Sequence, residues 1–411
     1  MLENISHYGF DPEFLTRALD NLSTKYVDSG KLSGFSVLIA RNREIAAMYH
    51  TGFSAMGDEK KAAFPLKEDS IYRIYSMSKP ITAFAMMRYV ERGQINLDDK
   101  IKNYIPAFSD PQIWVSGDTR DFTTQQSEKD ITVFDLLTHQ SGLTYDFLGE
   151  HPIDALYRRK QLTGGRACRP SVEEFVNEIA AMPLLFTPGE KWNYSFSLDV
   201  VGRIMEVVGG KTLDKILHEE VFEPLNMKDT GFTLPADKAD RMTHLYFKDH
   251  RKGFIRCIDR GRETTFLKPA EMLGGGGGLL STMTDYYKFC NMLESNGTVN
   301  GTTLLSKKTL DIMRSNQLPG GATMKEKAAC NFSESNMEGT GFGISWSITT
   351  DPTTEGNYTS RGTYSWGGLG NTYFFIDPIE KISVILMAQI VPYGIYPIRT
   401  ELKEIIYKSL K

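Results

Sequence analysis

Ser76 and Lys79 stand three residues apart in "IYRIYSMSKP", residues 71–80, a spacing that sets two side chains beside each other on one face of a helix. A serine hydroxyl is a weak nucleophile until a neighbouring base takes its proton. A lysine serves when burial or nearby positive charge holds its amine neutral. A helix that begins at the serine adds a second asset, because first-turn N–H groups lack an intrahelical partner and the Ser76 N–H can donate to an oxyanion. The flanks agree with such a junction. Ile71, Ile74 and the two tyrosines predict an extended, half-buried strand, an apolar run follows, and Pro80 is tolerated only in the first turn of a helix. Chance alone supplies one or two S-x-x-K matches in about 400 residues, so the weight rests on what else the chain carries.

Competing chemistries find little support. There is no G-x-S-x-G elbow, no H-E-x-x-H zinc helix and no G-x-x-x-x-G-K-[ST] phosphate loop. The five glycines at 274–278 lack the Lys-Ser or Lys-Thr of a phosphate loop; they read as a place of close backbone approach to a cleft. "LLSTMTDYYKF" follows them, where Thr282 and Asp285 predict a capping box. The histidines are dispersed, and His139 in "LLTHQSGLTY" reads as a structural residue holding a turn. The cysteines at 168, 257, 290 and 330 form no close pair, so neither a redox site nor a zinc ligand set is expected.

Two distant stretches bear on Ser76. "FTPGEKWNYSFSLDVVGRIMEVVGG" places Tyr194 just ahead of a helix whose Val200, Val201, Ile204, Val207 and Val208 recur at helical spacing. A phenol held there can share a proton with Ser76 and Lys79. In "YSWGGLGNTYFF" a strand is interrupted by Gly367 and Gly368, a mark of close ligand or backbone approach at an edge.

The elements that must position these residues follow from pattern. Asp11-Pro12 opens an amphipathic helix. "GFSVLIARN" and "EIAAMYHTGF" are strands joined near Asn42-Arg43-Glu44; "GFGISWSITT", "NTYFFIDP" and "KISVILMAQIV" are strands near the other end, the last two joined through Asp377-Pro378-Ile379-Glu380. Leu402, Ile405, Ile406 and Leu410 close the chain as a helix. Between lie mostly helical signals with long polar loops at 108–130 and 233–268. The expected class is α+β: an antiparallel sheet built from both ends of the chain, flanked by terminal helices, with a mainly helical insertion. The division is 1–80 with 331–411 for the sheet domain and 81–330 for the helical domain, the site lying between them. Lys plus Arg is 47 against 51 for Asp plus Glu, net −4, with no basic block to track a nucleic-acid backbone. No run approaches eighteen apolar residues and the N-terminus does not resemble an export signal, so a cytoplasmic location without a membrane span is expected.

Taken in order and spacing, Ser76-Met77-Ser78-Lys79, "LLTHQSGLTY", "FTPGEKWNYS", "EPLNMKDTGF", "LGGGGGLLSTMTDYYKF" and "WGGLGNTYFFIDP" resemble the serine β-lactamase and penicillin-binding-protein-like hydrolases. Within them the chain is most similar to the class C-like, or family VIII, carboxylesterases. The resemblance spans nearly the whole chain and implies a β-lactamase/transpeptidase-like fold. It implies Ser76 as acylated nucleophile, Lys79 as base or proton relay and Tyr194 as phenolic partner. The backbone N–H groups of Ser76 and Leu369 would form the oxyanion hole. Neither a metal nor an organic cofactor is implied.

Two departures from the family pattern bear on substrate. The Y-x-N element is Tyr194-Ser195-Phe196, and Trp366-Gly367-Gly368 stands where K-T-G would, so an amide and a carboxylate-pairing cation are both absent. An apolar wall of Phe196, Trp366 and Tyr145 suits uncharged acyl groups. The expected partner is therefore a small-molecule ester of short to medium acyl chain, cleaved by a serine hydrolase through an acyl-enzyme. An acyltransferase, a β-lactamase or D-amino-acid peptidase, and a non-catalytic scaffold stand as alternatives, and oligomeric state stays open.

Overall fold

Alternating side chains along the strand Gly34–Arg41 face two different cores, and that division organises the molecule. Leu38 and Ala40 join one apolar cluster while Phe35, Val37 and Ile39 join another, as the two-residue period of a strand requires. The computed structural model describes residues 5–57, 62–149, 151–163, 165–166, 168–249, 255–330, 337–354 and 356–411. Its main sheet has eight strands: β1 (Gly34–Arg41), β2 (Glu44–Ala55), β3 (Phe64–Pro65), β4 (Thr340–Phe342), β5 (Ser347–Thr349), β6 (Tyr364–Gly367), β7 (Tyr373–Asp377) and β8 (Ile382–Ala388). The order across the sheet is β4-β5-β6-β7-β8-β1-β2-β3, and every pairing is antiparallel. The first and last portions of the chain meet where β1 pairs with β8, with Leu38 opposite Ile385.

The turns follow from their residues. Asn42 and Arg43 both take positive φ, 54° and 66°, which matches the tight hairpin geometry that the twist of antiparallel strands favours. Asp377 accepts the N–H groups of Ile379 and Glu380 at 2.8 and 3.0 Å, turning β7 into β8. One stretch differs from expectation: "GFGISWSITT" is not one strand, because Ser345 at φ 66° breaks it into β4 and β5, which pair with each other.

Terminal helices cover one face of the sheet. Asp11 caps Pro12–Ser23 by accepting the Phe14 N–H at 3.1 Å, and that helix buries Leu15, Leu19 and Leu22. The last helix, Ile398–Lys408, buries Ile398, Leu402 and Ile406 in the same cluster. Over the other face lie helices Ser78–Glu91 and Met283–Glu294, where Phe84 meets Phe289 and Tyr286 meets Phe374 at ring separations of 5.8 and 5.2 Å.

The two polar loops expected at 108–130 and 233–268 both carry strands. Gln112–Gly117 pairs with Phe122–Gln126, where Trp114 stacks on Phe122 at 4.9 Å. Leu245–Lys248 pairs with Ile255–Asp259 and lies parallel to Ile390–Val391. Cross-strand aromatic contact outweighs the polar composition that read as loop. Thr282 caps its helix, accepting the Asp285 N–H at 3.1 Å, but the Asp285 carboxylate does not return the bond. It receives the Asp229 N–H at 2.7 Å instead, so half of the expected capping box serves a tertiary contact. Among the described residues Cys257 and Cys290 are free thiols, no cluster of His, Cys, Asp and Glu fits a metal, and no helix is long and apolar enough to cross a membrane.

Candidate active site

Strand Ile71–Arg73 pairs antiparallel with Leu280–Thr282, and the chain then bends sharply before entering a 3-10 turn over Tyr75–Met77. Tyr75 stands at φ 44°, a conformation that is strained for a bulky residue and that persists where packing over-determines it. Helix Ser78–Glu91 follows, buried along most of its length. This construction leaves Ser76 half-buried at the turn while Lys79, one turn on, is wholly buried.

The Lys79 ammonium donates to Ser76 Oγ at 3.2 Å and to the Gly276 carbonyl at 2.6 Å. It lies 4.6 Å from the centre of the Tyr194 ring and 5.3 Å from that of Tyr145, distances at which a cation is attracted to an aromatic face. Trp366 Nε1 donates to the Tyr194 hydroxyl at 3.4 Å, with the two rings 5.4 Å apart. Ser76, Lys79, Tyr194, Tyr145 and Trp366, drawn from four separate stretches, are thus brought together.

Tyr194 is held by two loops fastened side by side. The Asn193 N–H donates to the His139 carbonyl and Asn193 Nδ2 to the Leu143 carbonyl, both at 2.9 Å, while the Phe196 N–H reaches Thr144 at 3.3 Å. Gly142 has φ 81°, and a Cβ there would lie 2.6 Å from the Phe186 carbonyl, so the turn needs glycine. His139 holds this turn. Its Nδ1 meets Ser195 Oγ at 3.1 Å, and burial, reinforced by Lys79, keeps the imidazole well below its ordinary range. A neutral ring bonded to Ser195 rather than Ser76 fits a structural role. Ser195 in turn meets Ser197 at 2.7 Å, so its hydroxyl belongs to a buried chain that continues to Ser141.

Phe196 reaches the site only through Tyr145. Its ring lies 4.2 Å from that of Tyr145 and packs on Phe175 and Tyr157 at 5.1 and 6.1 Å. Phe147, 48% exposed, stacks on the outer side of Tyr145 at 4.7 Å.

Gly367 and Gly368 are explained by what crowds them. A Cβ on Gly367 would strike the Arg399 guanidinium, and one on Gly368 would strike Thr372 Oγ1 and the Ile74 carbonyl. The β5–β6 pairing ends at Ser347–Ser365, so Trp366 and Gly367 run past the neighbouring strand. The Gly368 N–H bonds the Thr372 carbonyl at 2.8 Å, and Thr372 Oγ1 donates to Ile74 at 3.2 Å. The turn carrying Leu369 is thereby fastened to the segment that carries Ser76. Among the described residues the half-buried Leu369 N–H has no hydrogen-bond partner.

Asp199 and Gly276 are residues that motif reading passed over. The Gly276 N–H donates to Asp199 Oδ1 at 3.1 Å while its carbonyl receives Lys79, so one peptide residue links the cation to a buried carboxylate. Burial pushes the Asp199 carboxyl up to about 6, against the pull of Lys79. The glycine run makes this approach: a Cβ on Gly276 would lie 2.6 Å from Asp199 Oδ2, and one on Gly275 would lie 2.7 Å from the Leu198 carbonyl. In the sequence Asp199 looks like an ordinary acidic residue in the first turn of a helix; its place five residues after Tyr194 was the available signal.

Comparison with known proteins shows the family of the chain. Esterase EstB of Burkholderia gladioli is 27% identical over 97% of each chain. Monacolin J acid methylbutanoyltransferase of Aspergillus terreus is 26% identical over 90% of this chain and 89% of its own. The solved structure of EstCE1, a hydrolase with promiscuous acyltransferase activity, superposes with a TM-score of 0.77 at 23% identity, covering 96% of this chain and 99% of that one. The family profile described as Beta-lactamase matches residues 19–403, and with that match across nearly the whole chain the protein belongs to the Beta-lactamase family, as a serine hydrolase of the β-lactamase-like esterase type.

Proposed function

We propose that the protein cleaves uncharged carboxylic esters of short to medium acyl chain through an acyl-enzyme on Ser76. The Lys79–Tyr194 pair, one proton short of full protonation in the reactive form, takes the Ser76 proton as the hydroxyl attacks the carbonyl. The oxyanion is held by the Ser76 and Leu369 N–H groups, and the alcohol leaves with a proton returned through the same pair. Water then enters, loses one proton to the same pair and attacks the acyl carbon, and the pair returns that proton to Ser76 Oγ as the acid leaves. The observation that carries this reading is the Lys79 ammonium at 3.2 Å from Ser76 Oγ, beside the Tyr194 ring and backed by a tryptophan rather than a cation. Trp366 supports an ester over a β-lactam because it offers a substrate carboxylate no charge partner.

Acyl transfer to an alcohol is a second reading, supported by one feature. Tyr145 and exposed Phe147 form a stacked aromatic shelf leading away from Lys79, a surface on which an apolar acceptor can lie in place of water. The methylbutanoyltransferase relative is consistent with it.

A series of p-nitrophenyl esters from acetate to laurate, assayed beside nitrocefin, tests the substrate reading. Turnover is expected to peak at four to eight acyl carbons, with nitrocefin at least about a hundredfold slower, as differential binding of the transition state predicts. Comparable nitrocefin turnover would overturn it.

A further inference from the structure

The terminal helix carries a cation whose position is not explained by the salt-bridge pattern of the surface. Arg399 is the second residue of Ile398–Lys408, half-buried, with its guanidinium 5.5 Å from the centre of the Tyr373 ring. Among the described residues it forms no ion pair, and its Nε, itself buried, has no hydrogen-bond partner. Its Nη2 donates to two backbone carbonyls, Gly368 at 2.7 Å and Thr372 at 3.0 Å. Gly367 is the residue that lets the guanidinium reach them, since any side chain there would collide with it.

The Gly368 carbonyl and the Leu369 N–H are the two ends of one peptide unit. That unit is planar and trans, so its oxygen and its hydrogen point in opposite directions. A donor that pins the oxygen from behind therefore aims the N–H at the front. A full positive charge on the oxygen also draws electron density out of the amide and strengthens the N–H as a donor, as in charge-assisted and chained hydrogen bonds. The turn packs on the segment that leads into the nucleophile: a Cβ on Gly370 would meet the Tyr75 ring, and Thr372 Oγ1 bonds the Ile74 carbonyl.

We propose that Arg399 is a positioning residue of the oxyanion hole, orienting and polarising the Leu369 N–H from the far side of the sheet. The inference rests on the reading of that N–H as an oxyanion donor to an ester bound at Ser76. It gives Gly367 a role in the reaction: to admit a cation behind the amide that meets the substrate.

The test compares Arg399→Met and Arg399→Lys with the native protein, using p-nitrophenyl butyrate as substrate and phenylboronic acid, which forms a tetrahedral adduct with a serine, as the transition-state probe. For Arg399→Met, kcat/KM and boronate affinity are expected to fall together by about 10- to 100-fold, less than the roughly 100- to 1000-fold cost of removing an oxyanion donor outright, because the N–H is weakened and not lost. KM should stay within about twofold, Tm within a few degrees, and Arg399→Lys should recover most of the loss. Unchanged kcat/KM and boronate affinity overturn the inference. So does a loss in which KM, boronate affinity and Tm all decline and lysine fails to rescue, since that marks a packing role alone. Should Arg399→Met not fold, Arg399→Gln, which keeps an N–H donor without the charge, is read by the same criteria. Ser76→Ala separates the two claims: if it retains full ester turnover the serine mechanism itself fails, whereas an inactive Ser76→Ala beside an unaffected Arg399→Met sinks only the role of Arg399.

Discussion

Lys79 must be buried to be useful and paired to be buried, and the residues around it meet both demands. A charged amine taken out of water needs hydrogen-bond acceptors and a counter-charge. The Gly276 carbonyl supplies the first at 2.6 Å, and Asp199, on the other side of the same residue, supplies the second. Because burial raises the Asp199 carboxyl to about 6, its negative charge is present above that pH and lost below it. Ester turnover is therefore expected to decline as pH falls through about 6, and Asp199→Asn should be slower at pH 8 by about tenfold or more and lack that acid limb, as a pH profile of kcat/KM would show. Replacing Lys79 with methionine removes the proposed proton relay and should lower kcat/KM by about a thousandfold, in the range for general acid–base catalysis. Trp366→Phe removes the donor to the Tyr194 hydroxyl together with part of the ring packed on Tyr194 and Phe342; a loss of about tenfold in kcat/KM is expected, the worth of one net hydrogen bond. That Ser76, Lys79 and Tyr194 meet was legible because each sits in a motif with its neighbours. Asp199 was not, since an acid near a helix N-terminus is commonplace and only the fold brings the glycine run onto it.

Elements carry a different lesson. The sheet strands and the helices at both ends showed in the sequence through apolar alternation, Pro and Asp caps, and Asn-Arg and Asp-Pro turns, all of which act locally. The pairing of Gln112–Gly117 with Phe122–Gln126 did not, because the second strand is exposed throughout and the first buries Ile113 alone, and that of Leu245–Lys248 with Ile255–Asp259 did not, because each strand is short and only Leu245 and Tyr246 are buried. The helix Met283–Glu294 adds a consequence of its own. It ends at Glu294, a poor site for a negative charge, where burial pushes the carboxyl up to about 7 against a 2.6 Å hydrogen bond from Ser383 on β8 and the pull of Arg43. Between the unfolded value of 4.5 and about 7 the folded protein holds a proton that the unfolded chain has released, so this group's effect is to lower stability as pH rises through that window. Below it the group contributes nothing, and above it the cost is complete. Glu294→Gln should thus unfold at similar denaturant concentration to the native protein at pH 4 and be more stable at pH 8, by up to about 3 kcal/mol.

At the scale of the molecule, one sheet separates two cores and its strand β6 works on both sides. The inner face of β6 presents Trp366 to Tyr194, while Gly367 on the outer face admits Arg399 from the terminal helix. The chain ends are thus tied to the site as well as to stability. Deleting residues 398–411 removes Ile398, Leu402 and Ile406 from the core, each worth about 1.5–3 kcal/mol of burial, and should leave a protein that does not fold cooperatively, as thermal melting would report. This architecture was legible in outline because strands at both ends and helices between them admit few economical arrangements. What joins the outer core to the reacting centre was not, since Arg399 reads in the sequence as one polar residue of an amphipathic helix. The central claim is that Ser76 is acylated, and intact-mass analysis with peptide mapping after brief exposure to a p-nitrophenyl phosphonate ester tests it most directly. The account predicts one adduct per chain, on Ser76, abolished in Ser76→Ala; an adduct on any other residue, or ester turnover that survives Ser76→Ala, would contradict it.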